Sequence, residues 1–94
     1  MREPCTYHVY IVTGRSHTKV LYIGVTSNLA ARVEAHRSGR VDGFTARYRF
    51  CKLVYAEAFT YVHDAIAREK QLKGWRRERK LALIEAVNPN WLEL

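Results

Sequence analysis

Between Tyr7 and His36 the hydrophobic pattern changes period twice, and the residues at each change restrict what the chain can fold into. The stretch reads YHVYIVTGRSHTKVLYIGVTSNLAARVEAH. A short alternating run through Val9-Tyr10 meets a polar turn over Gly14–Thr18, and a second apolar run ends in Leu21-Tyr22-Ile23-Gly24. Thr26-Ser27-Asn28 then supplies helix-start residues ahead of a segment carrying Arg32 and His36. These signals predict two strands joined by a turn and followed by a capped helix.

Polar groups occupy positions in this unit where apolar ones are the rule. Alternate strand residues share a face, so His8, Tyr10 and Val12 point one way and Tyr7, Val9 and Ile11 the other. With Thr13 across from Lys19, the antiparallel register sets Tyr10 opposite Tyr22, both phenols on one face. Gly24 beside them leaves room for something to approach the backbone. In the helix, Leu29, Arg32, Val33 and His36 follow the i, i+3, i+4, i+7 spacing of a stripe that faces the sheet. An arginine there either reaches a partner or ligand, or runs its aliphatic stem outward to water.

Ninety-four residues make one domain, residues 1–94. A hydrophobic content of 48% argues against disorder, and no apolar run is long enough to span a bilayer. The start, MREPCTYHVY, lacks the layout of a signal peptide, so a cytoplasmic location is expected. Cys5 and Cys51 match no metal-ligand spacing and fit free thiols. The formal charge of +7 favours a polyanionic partner.

The rest of the chain adds one strand and two helices. Ser38-Gly39 is expected to close the first helix. Arg40–Phe50 reads as a loop in which Arg40, Arg47 and Arg49 alternate with Phe44, Tyr48 and Phe50, either contacting phosphates and bases or anchoring the loop to the domain. CKLVYAEAF, from Cys51 to Phe59, is apolar on both alternating faces and reads as a covered strand in the middle of a small sheet. Thr60 is the expected N-cap of a helix from Tyr61 to about Gly74. Its stripe of Val62, Ala65, Ile66, Glu69 and Leu72 holds a carboxylate in the middle. Glu69 must pair with a cation such as Arg32 or bind something from outside, such as a divalent metal. The run from Arg68 to Lys80 then becomes strongly basic, with Lys70, Lys73, Arg76 and Arg77 as phosphate-tracking candidates. Trp75 is expected to pack inward. Leu81, Ile84 and Val87 form a last helical stripe stopped by Asn88-Pro89, with Trp91 and Leu92 folding back onto the core.

Val9-Tyr10, then Tyr22-Ile23-Gly24, then Arg32 and His36 about one helix later, resembles the GIY-YIG nuclease family, and its small stand-alone bacterial members in particular. His8 stands where the family has glycine and Val9 where it has isoleucine. Glu69 and the Asn88-Pro89-Asn90-Trp91 tail fall where such proteins have theirs. The resemblance implies an α/β (α+β) fold, a small three-stranded, mostly antiparallel sheet flanked by helices in the order β-β-α-β-α-α. It implies a divalent-metal-dependent endonuclease hydrolysing DNA, structure-specific or weakly sequence-specific, acting on branched, damaged or single-stranded DNA with a role in repair or recombination. Glu69 would hold Mg2+ or Mn2+, Tyr10 or Tyr22 would be the general base, Arg32 would clamp phosphate, and His36 would relay a proton or orient a tyrosine. Phe44-Thr45 resembles an aromatic-Thr pair that positions substrate in small members of the family. The residues leave a second reading open, a non-catalytic nucleic-acid-binding module on the same scaffold.

Overall fold

The computed structural model describes residues 5–14, 21–38 and 51–94. Three strands, β1 (Tyr7–Gly14), β2 (Leu21–Thr26) and β3 (Cys51–Phe59), alternate with three helices, α1 (Leu29–Arg37), α2 (Val62–Gly74) and α3 (Arg77–Val87). The order is the expected β-β-α-β-α-α, and both strand pairings are antiparallel.

The sheet order is β2-β1-β3, so β1 and not β3 is the middle strand. β1 meets a helix layer on each face, and its residues are apolar on both sides for that reason. Val9 and Ile11 join Ile23, Val54, Ala65, Leu72 and Ile84 under α2 and α3. Tyr10 and Val12 join Val33 and Leu53 under α1. Fully covering each aliphatic side chain of these cores contributes about 1.5–3 kcal/mol. The edge strand β3 mimics a central one because the register shifts between Ile11 and Val12, which pair with Tyr55 and Leu53. Val54 is the extra residue of the bulge, and it turns to the same core as Tyr55.

Local chemistry sets the helix ends. Asn28 caps α1, its Oδ1 accepting from the Ala31 N–H at 3.1 Å, while Thr26 Oγ1 accepts from the Asn28 N–H at 3.1 Å. Ser38 is the C-cap. α2 begins one residue later than expected: Tyr61 is its N-cap and makes no side-chain cap bond, so Thr60 does not cap it. Asp64 in the first turn complements the helix dipole instead. Gly74 ends α2, and Trp75 packs against the core as expected.

The final stripe is narrower than predicted. Ile84 is buried and Leu83 packs beside it, but Val87 lies in solvent, as does Leu92. Only Trp91 folds back, at φ 55°, onto the core. Asn88 holds this tail: its Nδ2 donates to Val54 O at 3.0 Å and Leu92 O at 2.8 Å, and its Oδ1 accepts from Leu92 N at 2.9 Å. Leu94 N donates to Leu53 O at 2.9 Å, covering part of the β3 edge, and Glu93 pairs with Arg37 of α1. No helix among the described residues is long and apolar enough to cross a membrane.

Candidate active site

The first two strands pair two residues away from the expected register. Tyr10 faces Gly24, and Tyr22 faces Val12. The phenols still share a face, as diagonal neighbours with ring centres 6.2 Å apart. The space over Gly24 is filled by Tyr10 itself, since a Cβ there would stand 2.5 Å from the Tyr10 Oη. A glycine is what lets the phenol lie across β2 towards α1.

From α1, Arg32 and His36 descend on that phenol. Tyr10 Oη lies 2.8 Å from His36 Nε2, and Arg32 Nε donates to the same oxygen at 3.3 Å. His36 also packs edge-on against Tyr22, ring centres 4.8 Å apart. Tyr10 and His36 are both fully buried, whereas Tyr22 and Arg32 are half-buried.

Burial governs the protonation states. It pushes the Tyr10 phenol up to about 12, against the opposing hydrogen bond from Arg32, so the group is neutral at pH 7. Burial, and then the charge of Arg32, lowers His36 to about 4, so the imidazole is neutral too. The Arg32 guanidinium is held protonated still more firmly by its hydrogen bond to Tyr10, with a smaller contribution from Tyr22. Tyr10 Oη accepts from Arg32 and is hydrogen-bonded to His36 Nε2, leaving the other ring nitrogen, Nδ1, outside this network. That Nδ1 is buried and has no hydrogen-bond partner among the described residues.

Glu69 stands on α2, which packs against β1 and β2, near enough for its charge to be felt at Tyr10. Its charge adds to the forces that raise Tyr10. The side chain is 18% exposed, and its salt bridge runs to Lys73 at 3.4 Å rather than to Arg32. Lys73 is 55% exposed and lies four residues along the same helix, so the pair holds the carboxylate weakly. No cluster of three or more His, Cys, Asp or Glu able to cage a metal occurs among the described residues. A single hard carboxylate suits Mg2+ or Mn2+, which take one or two protein oxygens and fill the rest with water and phosphate.

Of the expected nucleic-acid contacts, Lys70, Lys73, Arg76 and Arg77 are exposed along α2 and the start of α3. Arg40, Phe44, Thr45, Arg47 and Arg49 lie outside the described residues. Arg68, half-buried, and Arg79, exposed, stack on Trp75 at 5.1 Å and 4.0 Å. Two polar centres escaped the sequence reading. Asn88 looked like a helix stop and is a buried clasp. Glu57 is a charge inside the apolar strand β3, on the same alternation as Tyr55 and Phe59, and that anomaly was the available signal.

The three-stranded antiparallel sheet between helices thus brings two tyrosines, an arginine and a histidine together on one face. The GIY-YIG catalytic domain matches residues 6–82, and the chain belongs to that family. It is 37% identical over 79 residues to a UPF0213 protein of Staphylococcus haemolyticus, covering 84% of this chain and 94% of that one. A UPF0213 protein of Pediococcus pentosaceus is 34% identical over 85 residues, 90% of each chain. The solution structure of a UPF0213 protein from Bacillus halodurans shares the fold, with a TM-score of 0.60 at 24% identity over 92% of this chain and 89% of that one.

Proposed function

We propose that residues 1–94 form a divalent-metal-dependent DNA endonuclease in which Tyr22 is the general base. The observation that carries this reading is the unequal burial of the two phenols. Tyr10 is sealed and its oxygen is committed to Arg32 and His36, so no water can be activated there. Tyr22 is half-buried and touches the same arginine and histidine. A general base must reach the water it deprotonates, and of the two phenols Tyr22 is the one open to it.

In this scheme a water oxygen attaches to phosphorus as the bond to the 3′ oxygen breaks, and Tyr22 takes the water's proton. Arg32 forks onto a non-bridging oxygen as negative charge develops. Tyr10 and His36 form the neutral floor that fixes the Arg32 head. Glu69 would hold a divalent cation, which when bound would supply charge for the phosphate and the leaving oxygen. Lys70, Arg76 and Arg77 would track the backbone, adding affinity without sequence readout. That supports a substrate chosen by structure, such as branched, damaged or single-stranded DNA, and a cytoplasmic role in repair or recombination.

The test incubates supercoiled, single-stranded and branched DNA with Mg2+ or Mn2+, comparing the wild type with Glu69→Ala. Nicking that needs both metal and Glu69 is the expected result. DNA binding at low salt with no cleavage by either protein would return the chain to a binding module.

A further inference from the structure

A second polar cluster, unused by the chemistry above, lies on the opposite face of the sheet. Arg68 Nε donates to the two oxygens of Glu57 at 3.1 and 3.2 Å, and its Nη2 donates to Oε2 at 3.0 Å. Tyr55 Oη donates to the same carboxylate, and Arg68 Nη1 donates to Gln71 Oε1 at 2.7 Å. Trp75 closes the guanidinium from the side. The Arg68 and Glu57 side chains are only 24% and 22% exposed, so solvent competes weakly for the pair. Arg68's hydrogen bond and charge, with Tyr55's hydrogen bond, outweigh burial and keep Glu57 below its ordinary range; burial and Glu57 push Tyr55 up to about 12.

This clamp sits one residue from Glu69. Consecutive helical residues are about 100° apart, so the direction of one determines the direction of the other. On the inward face of α2, Ala65 and Leu72 are the buried anchors, one turn before and one turn after the Arg68-Glu69 pair. The middle turn therefore presents two charges to the sheet and no buried apolar side chain. Interdigitated packing at Ala65 and Leu72 resists rotation of the helix, but the turn between them adds none of it. The Lys73 bridge ties Glu69 to its own helix and adds nothing against rolling. The forked bond to β3 is the directional tie.

Resting on the nuclease reading, we infer that Glu57 and Arg68 are positioning residues, which fix the rotation of α2 on the sheet and with it the direction in which Glu69 is presented as a metal ligand. The test compares wild type with Glu57→Gln and with the conservative Arg68→Lys, which keeps the charge and loses the fork. Residual dipolar couplings of backbone amides report helix orientation without metal, DNA or activity. In Glu57→Gln the β1–β3 couplings should fit the wild-type frame while those of α2 depart from it, with Arg68→Lys intermediate. The Mn2+ concentration for half-maximal nicking should rise and kcat should fall by about 10-fold or more, with KM for DNA changed by less than about twofold. Should Glu57→Gln not fold, Arg68→Lys carries the same comparison. Couplings in α2 that fit the wild-type frame, with an unchanged metal requirement, overturn the inference. A wild type that nicks nothing refutes the nuclease reading alone, and the couplings still decide whether the clamp sets the helix.

Discussion

Replacing Gly24 with alanine tests how the first tyrosine is held. A Cβ at this position would lie 2.5 Å from Tyr10 Oη, 2.6 Å from Cζ and 2.9 Å from Cε1. Contacts that short cannot persist, and the tip of a surface tyrosine would swing aside at little cost. Tyr10 cannot, because it is fully buried and its oxygen is bound at 2.8 Å to His36 and 3.3 Å to Arg32. Overpacking a core costs about 1–3 kcal/mol. Pulling the phenol off its partners strands buried polar atoms for about another 1–3 kcal/mol. Gly24→Ala should therefore destabilise the fold by roughly 2–6 kcal/mol in urea unfolding. The same substitution in a Tyr10→Leu background, where Cε1, Cζ and Oη are absent, should cost under about 1 kcal/mol. Equal costs in the two backgrounds would refute the claim that Gly24 exists to accommodate this ring.

Tyr22→Phe should retain DNA binding and lose roughly 10²–10⁴-fold in kcat, as expected for removal of a general base; a single-turnover rate equal to wild type rejects the assignment. His36 is neutral in the fold down to about pH 4, whereas its unfolded form takes up a proton near 6.5. Its contribution to stability is thus complete above pH 6.5 and is lost progressively between 6.5 and 4. Urea midpoints across that range should fall with acidification, and the slope should flatten in His36→Gln. Asn88→Ala removes three hydrogen bonds that tie the tail to β3 and should cost about 2–3 kcal/mol. Calorimetry reads that loss, and fast amide exchange at Leu92 and Leu94 should accompany it.

What could be read from sequence follows the range of the forces involved. The hairpin, the capped α1 and the Leu29, Arg32, Val33, His36 stripe depend on local period and capping, and all are found. The two-residue register difference arises because the pairing is decided by Tyr10 lying over Gly24, a diagonal contact between strands that no alternation pattern encodes. β3 looked central because Val54 bulges and turns a second apolar residue to the same core. Likewise Asn88 announces a helix end through its neighbour Pro89, but its three partners lie on β3 and in the tail. The four residues that converge on one face were legible because about two turns of α1 and two strand alternations suffice to aim them. The depth at which each sits, which separates Tyr10 from Tyr22, comes only with packing.

The two helices flanking the sheet meet the same mechanical problem with the same solution. α1 turns Leu29, Arg32, Val33 and His36 inward, and α2 turns Ala65, Arg68, Glu69 and Leu72 inward, so each inner face is half polar. Neither helix can be aimed by hydrophobic contact alone, and each is tied to the sheet through a tyrosine. Tyr10 receives Arg32 and meets His36, while Tyr55 and Arg68 share the Glu57 carboxylate. Burying polar groups is tolerable only where they find partners, and nearly all of these do. The loose ends are His36 Nδ1, without a partner among the described residues, and the Glu69 carboxylate, with a half-exposed lysine. Neither belongs to the clamp, whose carboxylate, guanidinium and phenol all have partners. Spare polar capacity at one cluster, beside another where it is fully used, is the distribution expected when one cluster holds the fold and the other handles a ligand.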